Sequence, residues 1–201
     1  MEYEELIRKR CSIRKFAQRP VEKEKLEQII EAARIAPSAV DKQPWFFLII
    51  SEPESIKELA ASYKLPWLAK APSAIVLLED KNMSWKRPSD GRDFGDVDLG
   101  IAIYAIWLAA TNFGLGAACL SYFDPEKIRT LYELPEYIEP IAIMPIGYPE
   151  SEELWKNRKP RKNMTDIAFW ETLPKGLESV TTNTLSIKAG ADGKTFSREE
   201  N

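Results

Sequence analysis

The stretch Val97-Asp-Leu-Gly-Ile-Ala-Ile-Tyr-Ala-Ile-Trp-Leu-Ala-Ala-Thr-Asn-Phe113, followed by Gly114-Leu-Gly-Ala-Ala-Cys-Leu120, invites comparison with a glycine-rich strand–turn–helix fold and rejects it. Its first part is apolar almost all round, which predicts a helix buried on most sides rather than one lying on the surface. Gly114 ends that helix, and Ala117–Leu120 reads as a strand. The order is decisive. A dinucleotide-binding turn runs strand, glycines, helix, so that the helix N-terminus holds the pyrophosphate. Here the helix comes before the glycines, which excludes such a site. No Gly-Lys-Ser/Thr phosphate loop occurs either.

Upstream, Tyr3, Leu6 and Ile7 start a short helix, and Leu26, Ile29, Ile30 and Ala33 follow helical spacing between Glu22 and Ile35. Pro37 stops that helix. Trp45–Ile50 and Ser73–Leu78 read as buried strands, with an amphipathic helix through Ile56, Leu59, Ala60 and Tyr63 between them. Residues 80–95 are polar and rich in turn formers, which predicts a long loop. Downstream, Asp124-Pro125 supplies an N-cap and N1 pair for a helix over Glu126–Tyr132. Ile141–Met144 is a fourth strand, closed by Pro145. This alternation predicts α+β or α/β, with a sheet covered on both faces. Apolar density falls after Glu171, so one domain spans 1–172. A tail follows over 173–201, either free or wrapped around a partner subunit.

Composition narrows the function. The chain has 201 residues, 44% of them hydrophobic, and a net charge of −3, which gives no basic field for nucleic acid or an anionic membrane. It contains no histidine, so His triads, His-ligated zinc and His acid–base chemistry are excluded. Cys11 and Cys119 form neither a metal-ligand spacing nor a disulfide framework. The acidic start Met1-Glu-Tyr-Glu-Glu5 lacks a signal-peptide pattern, and the apolar run Ile101–Ala110 is too short to cross a bilayer. A cytoplasmic protein is expected.

Three segments carry candidate chemistry. In Arg8-Lys-Arg-Cys-Ser-Ile-Arg-Lys-Phe16, alternate residues Arg10, Ser12 and Arg14 share one side of an extended chain. Two guanidinium forks and a hydroxyl can converge there on one anion, although a solvated basic stretch has the same composition. Lys156 and Arg158 repeat the alternate cationic pattern. The loop Ala36-Pro-Ser-Ala-Val-Asp-Lys-Gln-Pro-Trp45 presents Ser38, Asp41 and Gln43 beside a large aromatic. It suits either a planar polar ring or a plain Asx-type turn.

These segments, taken in order with Gly114-Leu-Gly116 leading to Phe123-Asp124 and with Met144-Pro-Ile-Gly-Tyr148, resemble the nitroreductase family of FMN-dependent oxidoreductases over residues 3–171. The resemblance implies an α+β three-layer sandwich, with a central, mostly antiparallel sheet flanked by helices, in an intertwined homodimer. It implies FMN as cofactor and NAD(P)H as co-substrate. Arg10, Ser12 and Arg14 would hold the phosphate, ribityl chain and pyrimidine edge, with Cys11 among the cofactor-binding residues. Lys156 and Arg158 would help at the phosphate. Pro37, Ser38, Ala39, Asp41 and Gln43 would lie against the flavin of the neighbouring subunit. The backbone of Cys119, Leu120 and Ser121 would reach flavin N5 and the ring face, with Pro145 and Gly147 as further cofactor-binding residues.

The implied activity is hydride transfer from NAD(P)H through flavin N5 to a nitroaromatic or quinone, by a ping-pong mechanism. Neither a catalytic side chain nor a metal is required. A dehalogenating or flavin-fragmenting branch of the family, or a non-catalytic FMN-binding protein, is the competing implication. Asp41 departs from the family pattern, which has Asn there; an ionised carboxylate beside the ring would lower the flavin potential.

Overall fold

Ser73–Asp80 forms a strand (β2) buried along almost its whole length. Its alternate residues feed two separate cores. Ala74, Val76 and Leu78 join one, and Ile75 and Leu77 join the other. A strand apolar on both faces needs a covering layer on each side. The computed structural model, which describes residues 1–156 and 159–174, has those layers. The chain divides into two compact units, Met1–Asn157 and Arg158–Asn201.

In the first unit the elements run α1 (Tyr3–Lys9), α2 (Lys23–Arg34), β1 (Trp45–Ile50), α3 (Pro53–Ala60), β2, α4 (Gly95–Asn112), β3 (Gly116–Ala117), α5 (Pro125–Leu131) and β4 (Ile138–Gly147). The four strands are ordered β1-β2-β4-β3, and every neighbouring pair is antiparallel. Helices α2 and α4 cover one face, packing Ile29, Leu99 and Ile106 against Ile75, Leu77 and Met144. On the other face, α3 and α5 bring Ile56, Leu59 and Ile128 against Val76 and Ile143. This is the α+β three-layer sandwich with a mostly antiparallel sheet. Asp124 caps α5 as expected, accepting hydrogen bonds from the N–H groups of Glu126 at 3.1 Å and Lys127 at 3.4 Å.

β2 runs two residues past the expected Leu78, to Asp80; two other strands differ more from the sequence expectation, and proline explains both. The strand expected over Ile141–Met144 runs instead from Ile138 to Gly147, through Pro140 and Pro145. Pro140 is tolerated because a bulge lies beside it: Leu77 pairs with Ala142 but Leu78 with Pro140, leaving Ile141 as the extra residue. Pro145 faces Ala118, whose N–H donates to its carbonyl at 3.4 Å, and it has no N–H to return the bond. One rung is lost there. The strand expected over Ala117–Leu120 is therefore split into Gly116–Ala117 and a separate bridge between Leu120 and Ile143.

In the second unit, a 3₁₀ turn at Met164–Asp166 is closed by a reciprocal capping box between Asn163 and Asp166. Arg158, and the expected tail beyond residue 174, lie outside the described residues. Among the described residues, no helix is long and apolar enough to cross a membrane. None of their His, Cys, Asp or Glu groups forms a cluster of three suited to a metal ion.

Candidate functional site

After α1 the chain straightens and joins the sheet. Ser12 forms a parallel bridge with Ala117, and the Ile13 N–H donates to the Ala117 carbonyl at 3.0 Å. Cys11 and Ile13 are buried, 6% and 1% exposed, whereas Arg10, Ser12 and Arg14 are each half-buried. The alternation seen in the sequence is thus an alternation between core and outer face. Two glycines let β3 reach this strip. Gly114, at φ +72°, ends α4 in a Schellman turn, with Leu115 N–H on the Ala110 carbonyl at 2.8 Å and Gly114 N–H on Thr111 at 3.0 Å. Gly116 lies so close to the strip that a Cβ there would stand 2.5 Å from the Ile13 Cβ.

The strip is held from both sides. The Trp107 Nε1–H on α4 donates to the Cys11 carbonyl at 3.2 Å. The Arg10 guanidinium carbon sits 4.6 Å from the centre of the Trp107 ring. The Arg10 Nε is buried and has no hydrogen-bond partner. On the core side, the Cys11 thiol points to the Leu154 carbonyl at 3.5 Å, within the 3₁₀ turn Glu152–Lys156. Lys156 is therefore on a turn beside the strip, but its ammonium is exposed and paired with Glu153 at 2.6 Å. Beyond the strip, Ala17 N–H donates to the Tyr148 carbonyl at 2.9 Å, fixing its far end to the chain after β4.

The loop Pro37–Gln43 is anchored elsewhere. The Ala39 N–H donates to Asp98 Oδ1 at 2.8 Å, near the start of α4. Ser38 Oγ accepts from the Gln43 N–H at 2.8 Å, and Gln43 Nε2 donates to Asp41 Oδ1 at 2.9 Å. Val40, Asp41 and Gln43 all have positive φ, near +50°, so the loop is a tight backbone knot rather than a plain turn. Asp98 and Trp107 are nine residues apart, about 13 Å along the helix axis at roughly 1.5 Å per residue. Within one chain, the loop and the arginine strip are thus attached to different ends of α4.

The remaining candidates line the sheet beside the strip. Leu120 is buried and bridged to Ile143, Ser121 is exposed, and Pro145 and Gly147 are buried in β4. Burial pushes the half-buried Cys119 thiol above its ordinary pKa, so it is a poor nucleophile at neutral pH. Asp98 and Trp107 escaped the sequence reasoning. Asp98 carried a signal, as the single charged residue between Val97 and Phe113; Trp107 carried none.

Comparison with known proteins agrees with this architecture. The sequence model of the nitroreductase family matches residues 7–65 and 60–148. A Methanothermobacter thermautotrophicus protein named for NADH dehydrogenase and NAD(P)H nitroreductase is 35% identical over 154 residues, covering 74% of this chain and 78% of that protein. A solved nitroreductase family protein from Clostridium difficile 630 superposes with a TM-score of 0.76 at 38% identity, over 86% of this chain and 100% of that one. The solved FMN-dependent nitroreductase from Clostridium difficile R20291 gives 0.69 at 28% identity, over 84% of this chain and 98% of that one. A match that spans the strip, the loop at Asp41 and all four strands makes this chain a member of the nitroreductase family.

Proposed function

We propose that this chain is an FMN-dependent NAD(P)H oxidoreductase that reduces electron-poor acceptors of the nitroaromatic or quinone class. The observation that carries the reading is the strip: two arginines and a serine on one face, with the buried Arg10 Nε lacking an acceptor. That donor set suits a phosphate monoester, which offers several oxygens to fork-shaped donors. The names of the M. thermautotrophicus and C. difficile R20291 relatives, with NAD(P)H in one and FMN in the other, support it.

Arg10, Ser12 and Arg14 would hold the phosphate side of FMN, with Cys11 fixing the backbone between them. Cys119, Leu120 and Ser121, with Pro145 and Gly147, would border the ring. Lys156 would add charge by leaving Glu153, an exposed pair that costs little to break. Arg158, which lies outside the described residues, is proposed as a further phosphate ligand. Bound there, FMN would supply the redox chemistry, with NAD(P)H and the acceptor using one ring face in turn. The protein needs no acid–base side chain of its own for this, in keeping with the absence of histidine.

The same reading makes the protein a homodimer. Helix α4 is apolar on most sides, yet Val97, Ile101 and Tyr104 are 44%, 40% and 42% exposed in the single chain. They lie at i, i+4 and i+7, one stripe that a second copy would cover. The partner's loop at Pro37, Ser38, Ala39, Asp41 and Gln43 would then reach the flavin that this chain's strip holds.

An absorption spectrum, followed by anaerobic titration with NADH and NADPH, tests the reading. A flavin band bleached by a nicotinamide, and restored by a nitroaromatic or quinone, is the expected result. No flavin band after FMN addition removes the whole reading. A yellow protein that no nicotinamide bleaches removes the enzyme and leaves an FMN-binding protein.

A further inference from the structure

We propose that Trp107 is a positioning residue that presets Arg10 for a phosphate ester, and so makes the site discriminate FMN from riboflavin. The inference rests on the proposed FMN reading and extends it to a side chain that acts on Arg10 and on the backbone beside it. Trp107 acts on the strip twice. Its indole N–H fixes the Cys11 carbonyl at 3.2 Å, which sets the backbone between Arg10 and Ser12. Its ring face lies 4.6 Å from the Arg10 guanidinium carbon.

The chemistry of that contact matters. A carboxylate could also hold an arginine still, but it would occupy the guanidinium edge and neutralise its charge. An indole face attracts the cation through its ring quadrupole, and it supplies neither a hydrogen-bond acceptor nor an opposing charge, so the guanidinium keeps its charge. Among the described residues, Arg10 has no carboxylate within 4.0 Å, and its Nε has no acceptor at all. The side chain is immobilised without being satisfied, which is the state a preorganised anion site requires. A ligand bearing a phosphate gains most from it. Riboflavin, which is FMN without the phosphate, can offer that edge only a neutral hydroxyl, a weaker partner than a phosphate dianion.

The experiment compares full-length apoprotein of the wild type, Trp107→Phe and Trp107→Leu. Dissociation constants for FMN and riboflavin are read from quenching of flavin fluorescence. Circular dichroism and a thermal melt establish that each variant is folded. Trp107→Leu should weaken FMN binding roughly tenfold while riboflavin binding stays unchanged, as expected for loss of a desolvated cation–π contact. Trp107→Phe, which keeps a ring face and loses the N–H, should fall between the two. Equal losses for both flavins would make Trp107 a structural residue only, and no loss in Trp107→Leu would remove its role; either overturns the proposal.

Where Trp107→Leu fails to fold, the FMN-to-riboflavin ratio of Trp107→Phe decides. Failure of the wild type to bind FMN sinks the FMN reading instead. The clamp is then judged with inorganic phosphate, which should raise the melting temperature of the wild type and not of Trp107→Leu. An equal shift in both proteins, or none in the wild type, overturns the role of Trp107.

Discussion

Tyr148 carries two charged neighbours on one hydroxyl. Lys25 Nζ donates to it at 2.5 Å, the hydroxyl donates to Glu22 Oε2 at 2.7 Å, and the Arg19 guanidinium lies 3.8 Å from the ring centre. The Tyr148 hydrogen bond, more than the nearby cations, draws the Glu22 carboxyl from its ordinary value near 4.5 down to about 2. A carboxyl with a depressed folded pKa stabilises the fold fully above its unfolded value, and that contribution fades as pH falls through the folded one. Thermal stability should therefore decline between pH 4.5 and about 2, and Glu22→Gln should flatten that limb in melts recorded across the range. If the wild-type and Glu22→Gln curves stay parallel, the clasp contributes nothing. At this scale the sequence was only partly legible. The burial alternation of Arg10 to Arg14 follows from extended geometry alone. The grip of Trp107 on Arg10, and of Asp98 on Ala39, joins residues 97 and 59 positions apart, and no local pattern encodes such a pairing.

Most elements were readable because their signals are local. Helical spacing of apolar residues, Asp124-Pro125 at a helix start and Gly114 at a helix end each constrain a few neighbouring dihedrals. The extent of β4 was not readable, since a central strand that contains two prolines survives only through its neighbours. One proline sits by a bulge, and the other sits opposite a partner that can spare a rung. The contact of β3 with the strip is just as dependent on tertiary context. Its weak point is Gly116, where any side chain meets Ile13. Gly116→Ala should cost about 1–3 kcal/mol, as overpacking of a filled core does, and should loosen FMN by pushing the arginine strip off the sheet. Urea denaturation reads the first effect and flavin titration the second; unchanged values for both would mean the strip can slide without penalty.

For the molecule as a whole, the apolar circumference of Val97–Phe113 announced burial without saying what does the burying. The sheet and α2 cover part of α4, and the stripe at Val97, Ile101 and Tyr104 is left uncovered in the single chain. Ile101→Asp should convert the proposed dimer to monomer in sedimentation velocity and release FMN, while the circular dichroism stays that of the wild type. A dimeric Ile101→Asp protein would move the interface away from this face. The nine-residue separation of Asp98 and Trp107 then acquires a genetic meaning. In the proposed pair, each chain would give a loop to one pocket and a clamp to the other, so a lesion at either end of α4 would not stay with the chain that bears it. In that pair, a copy crippled in the loop and a copy crippled in the clamp would each be null when expressed alone. Expressed together, they would assemble some mixed pairs in which one pocket draws both of its halves from undamaged sequence, so two recessive alleles of this single gene would complement each other.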